Sequence, residues 1–92
     1  MIVRIAAEGQ FRLPDADAER LNELDNRAVA AVEQGDETGF KELWAQMLEL
    51  VANDGNALGD DELLESDVIM PPRDVSFEEA KAEFTGEGLI PD

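Results

Sequence analysis

Two side chains missing from the sequence limit the chemistry open to this protein. The chain contains no cysteine and no histidine, which removes disulfides, thiolate metal sites, and the commonest general base and zinc ligand. The hydroxyl nucleophiles are those of Thr38, Ser66, Ser76 and Thr85. No general base can be named beside any of them, so the sequence predicts a protein that is not an enzyme and has no catalytic residues. A small acid–base hydrolase is the enzymatic alternative, and it would require a deep pocket that encloses two carboxylates.

Carboxylates are the other groups with chemical potential. Residues 54–65 resemble a calcium-binding EF-hand loop at its first, third, sixth and twelfth positions. Leu58 at the fifth position and Asp61 at the eighth do not fit that loop, so an ordinary solvated acidic turn is favoured. The clusters at 60–62 and 78–79 are interpreted in the same way, because general acid–base work needs burial to tune the pKa. The sequence therefore predicts no metal site and no cofactor.

The balance of charge argues against several kinds of partner. With 23 acidic and 7 basic residues, the formal net charge is −16, and such a surface repels phosphate backbones and anionic lipid headgroups. No apolar run approaches the roughly 18–20 residues that cross a bilayer, and no secretion signal is recognisable. We expect a single domain over residues 1–92 that is cytoplasmic, binds no nucleic acid and does not insert directly into a membrane.

The first elements that the pattern predicts are two short strands. Apolar and polar residues alternate over Ile2–Ala6 and Gln10–Leu13, as in half-buried strands. Gly9 lies between them and is free to adopt positive φ, which favours a hairpin. One face of this hairpin should carry Val3, Ile5, Phe11 and Leu13.

Two helices should follow and cover that face. Asp15 is predicted to cap the first helix, whose apolar residues recur at spacings of three and four until Gly35. Asp36 is predicted to cap the second, and the pair should form a tight αα-hairpin. The apolar stripe of the second helix comprises Phe40, Leu43, Trp44, Met47, Leu48, Leu50 and Val51.

The C-terminal half is rich in turn residues and acids. Asp67–Met70 is a candidate third strand, at the sheet edge because Pro71-Pro72 cannot donate to a ladder. Ser76 and Glu79 form a capping box, which predicts a short helix from Phe77 to about Phe84. The expected fold class is α+β, with an N-terminal β-hairpin packed on an αα-hairpin and closed by a short C-terminal helix.

One part of the second helix is a candidate partner surface. Its apolar stripe spans roughly 160°, which is wider than one packing contact requires. We expect partner-binding residues at Leu43, Trp44 and Leu48, although Trp44 alone is more readily interpreted as a core residue. Leu48 is placed at the stripe's edge, where a polar replacement should weaken partner binding and spare the fold.

The order of short motifs along the chain resembles that of the PspA-associated protein family, PspAA. The motifs are Met1–Ile5, Glu8–Phe11, Leu21–Asp25, Gly35-Asp36, Ser66-Asp67, Pro71–Asp74 and Gly88–Pro91. The resemblance implies a non-catalytic adaptor or regulator of a PspA-like coiled-coil protein of the phage-shock envelope stress response. It also implies recruitment to the inner face of the membrane through that partner. The alternative is a self-associating acidic interaction domain unrelated to PspA, a homo-oligomer built through an exposed hairpin edge and the wide apolar stripe.

The excess of acid departs from the family pattern. A net charge of −16 exceeds the magnitude of about 2–8 that ordinarily keeps a small domain soluble. This predicts a salt-requiring protein from a high-salt cytoplasm, such as that of a halophilic archaeon. An acidic binding face is the alternative explanation.

Overall fold

The computed structural model describes residues 1–59, 64–84 and 88–90. The elements in chain order are β1 (Ile2–Ile5), β2 (Gly9–Arg12), α1 (Asp15–Glu33), α2 (Glu37–Asp54), β3 (Asn56–Ala57), β4 (Val68–Met70) and α3 (Phe77–Glu83). The predicted α+β class is confirmed, with N-terminal strands, a helical hairpin and a short C-terminal helix.

The N-terminal strands form the predicted antiparallel hairpin, in which Val3 lies opposite Phe11. Its turn is closed by the Glu8 amide, which donates to the Ile5 carbonyl at 2.9 Å. Gly9 adopts a φ of 105°, as its freedom from a Cβ allows. Ala7 also has a positive φ, of 70°, which the sequence did not predict.

Two further strands widen the hairpin into a four-stranded sheet with the order β3-β2-β1-β4. The predicted edge strand is confirmed as β4, which lies parallel to β1 with Val68 opposite Val3. β3 was not predicted, because a strand of only two residues is too short to show an alternating pattern. It pairs with β2, and the next amide, that of Leu58, donates to the Gln10 carbonyl at 2.9 Å.

The helical hairpin differs from its prediction at one end. Asp15 was expected to cap α1, but this is wrong, because Pro14 occupies the N-cap position and makes no side-chain bond. Asp15 instead lies in the first turn, where a negative charge favours the helix dipole. The predicted end at Gly35 is confirmed by its φ of 72°. The Asp36 carboxylate accepts the Gly39 amide at 3.0 Å, so its predicted capping role is also confirmed.

The core lies between the sheet and the helices. Its fully buried large side chains are Val3, Ile5, Leu13, Leu21, Phe40, Met47, Val51, Met70 and Phe84. Phe11, predicted to lie on the covered face of the hairpin, and Leu43, from the predicted apolar stripe of the second helix, are only partly buried against it.

Asp25, in α1, is a fully buried charged residue. Its carboxylate oxygens accept the amides of Leu89 and Ile90, each at 3.0 Å. Gly88 takes a φ of 78°, and a Cβ at that position would come within 2.7 Å of an Asp25 oxygen. The glycine therefore lets the backbone approach closely enough for Asp25 to hold residues 88–90 against α1.

Candidate partner-binding groove

A groove lies between α2 and the segment that leads into α3. It encloses about 620 Å³, within the range typical of sites for small ligands or peptide side chains. Its apolar lining residues are Phe40, Trp44, Ala45, Leu48, Val75 and Phe77. One face of α2 forms one side of the groove. The other side includes residues 73–76, which we call the strap.

The spacing of α2 residues explains which of them face the groove. Positions 37, 40, 41, 44, 45 and 48 line it, and steps of three and four residues keep side chains on one face of a helix. Ala45 is exposed within this set. Because its side chain is small, it leaves space between the larger neighbours.

The strap is held in place by bonds from two other elements. The Trp44 indole Nε1 donates to the Arg73 carbonyl at 3.2 Å. The Arg73 guanidinium makes two bonds to the Glu8 carboxylate, at 2.8 and 3.2 Å, and the pKa of Arg73 is raised by this hydrogen bonding and by the charge of Glu8. The hairpin turn and α2 thus fix one wall of the groove.

The other end of the wall is set by the start of α3. The predicted capping box is confirmed: Ser76 Oγ accepts the Glu79 amide at 3.1 Å, and the Glu79 carboxylate accepts the Ser76 amide at 3.4 Å. This cap fixes the direction in which α3 leaves the strap. Phe77, its first residue, is thereby directed into the core beneath the groove.

An aromatic cluster supports the groove floor. Phe40 stacks on Trp44 with ring centroids 6.4 Å apart, and Phe84 meets both rings edge-on at 5.1 and 5.8 Å. Phe77 lies 5.8 Å from Phe40. Such offset and edge-to-face contacts stabilise aromatic pairs beyond their buried area, so the floor is preorganised.

The structure brings together two of the three residues predicted to bind a partner. Trp44 and Leu48 both line the groove, whereas Leu43 does not and is partly buried against the core elsewhere. Leu48 is only 3% exposed, so the prediction that a polar residue is tolerated there does not fit its position. The sequence missed Ala45 and the strap, because the strap is placed by contacts between distant residues.

Ion pairs surround the groove. Lys41 meets Glu37 at 3.1 Å on the α2 side, and Lys81 meets Glu78 at 3.2 Å on the α3 side. Asp74, on the strap, is exposed and makes no ion pair with the residues that the structure describes. The cations at the rim are therefore already paired with carboxylates of the chain, and Asp74 adds one further carboxylate.

A pair of carboxyl groups lies away from this groove, where the start of α1 meets the end of α2. The pKa of Asp17 is raised above 3.8 by its partial burial and by the hydrogen bond and charge of Asp54, against an opposing effect of Arg20. The flanking groove at this end is polar and includes Arg20 and Asn53.

Over residues 1–59, 64–84 and 88–90, no group of three or more potential ligands is placed to hold a metal ion. The EF-hand-like residues 60–63 lie outside the described part.

Comparison with known protein families gives a match over the whole chain. A family model described as "PspA-Associated protein" (PspAA) matches residues 1–92, the whole chain. No curated protein and no solved structure matches this chain. None of the helices in the described part of the chain is both long enough and apolar enough to traverse a bilayer.

Proposed function

Since the chain belongs to the PspA-associated protein family, we propose that it is a non-catalytic adaptor that binds a PspA-like coiled-coil protein of the envelope stress response. The observation that carries this proposal is the family match over the entire chain. We place the protein in the cytoplasm, where the partner recruits it to the inner face of the membrane.

The groove is the surface that best suits this role. Recognition of an amphipathic helix by an apolar groove is a common mode of protein association, and a coiled coil is made of such helices. Trp44 and Leu48 contribute to the floor, and Ala45 leaves it open. Leu43 lies outside the groove, and we assign it a supporting role in the position of α2.

A binding role agrees better with the chemistry of the chain than an enzymatic one. The Asp17–Asp54 carboxyl pair lies at an open surface, and Asp17 is only partly buried. General acid–base catalysis by two carboxyl groups requires a shaped site that shields them from water. The groove itself contains ion pairs at its rim and apolar side chains at its floor.

Co-purification tests the proposed function. The tagged full-length chain is expressed in its native cells and captured at native salt, and the retained proteins are identified by mass spectrometry. We expect a PspA-like coiled-coil protein in every replicate, and a matched unrelated acidic domain as bait should not retain it. Repeated captures without such a protein would contradict the proposal.

Self-association remains the second candidate, because one feature favours it. Ile69 is 64% exposed on β4 at the sheet edge, and an open edge strand is a template for pairing with another copy. Light scattering on the purified chain decides between the two. A stable dimer that fails to capture a PspA-like protein would favour this alternative.

A further inference from the structure

We infer that the groove binds a single amphipathic helix whose apolar anchor residues are flanked by lysine or arginine. The inference rests on the proposed function, because it takes the groove as the place where the partner docks. It goes further by specifying the chemistry of the occupant, which follows from the size of the groove and from the charges on its rim.

The size of the groove suits one helix. A helix about 10–12 Å wide with a 5.4 Å pitch fills roughly 400–600 Å³ per turn, and the groove encloses about 620 Å³. The space therefore matches about one turn, or the apolar face of two turns, of a single helix. The apolar floor requires anchors spaced three or four residues apart on the incoming helix.

The cations of the rim are already engaged within the chain. Lys41 is paired with Glu37, and Arg73 is held by both oxygens of Glu8. An incoming carboxylate would have to displace these internal partners. An incoming ammonium or guanidinium group would not, because a carboxylate has about four lone-pair sites and accepts further bonds after it forms one ion pair.

The remaining charge also favours a basic occupant. Asp74 lies on the strap without an ion-pair partner among the described residues. The whole chain carries −16, and a field of that sign attracts positively charged partners and slows the approach of negative ones. A second copy of this chain has the same charge, so it is a poor occupant.

Two designed peptides test this inference against the isolated full chain. Both are helical, lack tryptophan and carry leucine anchors at the same positions, but one has lysine and the other glutamate beside the anchors. Titration calorimetry measures each affinity at a fixed salt concentration. We expect the lysine peptide to bind at least about tenfold more tightly, and equal affinities would overturn the inference.

A matched pair of variants locates the binding site. Ala45→Arg places a long cation in the groove, while Ala30→Arg makes the same change at an exposed position of α1 outside it. Both keep good helix propensity. We expect Ala45→Arg to weaken binding of the lysine peptide at least about tenfold, and Ala30→Arg to change it less than about twofold. Equal losses would mean that net charge alone attracts the peptide, which would overturn the inference.

A second pair tests the rim carboxylates. Asp74→Asn with Glu78→Gln removes two charges at the groove, and Glu33→Gln with Glu42→Gln removes two exposed charges elsewhere. Only the first pair should reduce both the affinity for the lysine peptide and its dependence on salt. Capture of a PspA-like protein by Ala45→Arg at the wild-type level would reject the groove and leave the proposed function intact.

Discussion

At the scale of single residues, one buried carboxylate links the first helix to residues 88–90. Asp25 belongs to α1, and its partners at Leu89 and Ile90 lie 64 and 65 positions later. A buried amide donor that loses its acceptor must bear the full cost of its desolvation. Asp25 thus fixes the backbone of residues 88–90, in addition to the packing of the Leu89 and Ile90 side chains against the core.

We expect Asp25→Asn to destabilise the protein. The amide group of asparagine presents one acceptor and one donor, so one of the two backbone amides loses its partner at a cost of about 1–3 kcal/mol. Urea unfolding measures the free energy of unfolding. Glu23→Gln, an exposed change of the same charge on the same helix, is the control, and equal stabilities of the two variants would mean that Asp25 does not hold this segment.

A second residue-scale prediction concerns pH. The pKa of Asp17 is raised in the folded protein. Proton binding by Asp17 therefore contributes fully to the free energy of unfolding below the unfolded pKa of about 3.8. This contribution is lost as the pH rises through the folded pKa. Asp17→Asn should therefore have a higher melting temperature than Asp15→Asn at pH 7, because both lose a first-turn charge but only the first removes repulsion with Asp54. The difference should disappear at about pH 3, and a difference that persists there would contradict this cause.

At the scale of elements, local patterns predicted the hairpin and the helices. Alternation of apolar residues identifies β1, and spacings of three and four identify α1 and α2. The placement of β4 beside β1 depends instead on contacts between distant residues. Asp67 accepts the Ile2 amide at 2.7 Å, and Gln10 donates to the Leu64 carbonyl and to the Ser66 hydroxyl.

The groove shows the same division between local and distant signals. Trp44 and Leu48 were predicted because the α2 stripe is periodic. The strap that faces them was not, because its position depends on Glu8 and on the indole of Trp44, which bonds to a carbonyl 29 residues away. No local pattern in residues 73–76 indicates these contacts.

The assignment of the α2 stripe can be tested by removing one of its central side chains. Met47 is 1% exposed, and Met47→Ala should lower the free energy of unfolding by about 2–5 kcal/mol, since truncation leaves a cavity. Gln46→Ala, at the adjacent exposed position, serves as the control. A loss below roughly 0.5 kcal/mol for Met47→Ala would show that the stripe is misassigned.

At the scale of the whole molecule, negative charge is concentrated in one half of the chain. Residues 42–92 hold 14 acidic and 2 basic residues, a net charge of −12 out of the total of −16. Like charges at this density repel one another in the compact state, and the unfolded chain relieves that repulsion by expanding. Stability should therefore depend on the ionic strength of the surroundings.

We predict that potassium chloride stabilises this protein well beyond its effect on ordinary domains. The screening length falls from about 8 Å at 0.15 M to about 3 Å at 1 M, so repulsion between neighbouring surface carboxylates is largely removed. The melting temperature followed by circular dichroism should rise substantially between 0.1 and 2 M.

A variant with Glu33, Glu42, Glu49 and Glu83 changed to glutamine, all four exposed in the wild type, should start from a higher melting temperature in low salt and rise less. Sucrose is excluded from the protein surface but screens no charge, so it should not reproduce the difference between the two proteins. A melting temperature that stays constant or falls over this range of salt would reject adaptation to a high-salt cytoplasm, and the acidic surface would then be explained by recognition of a basic partner.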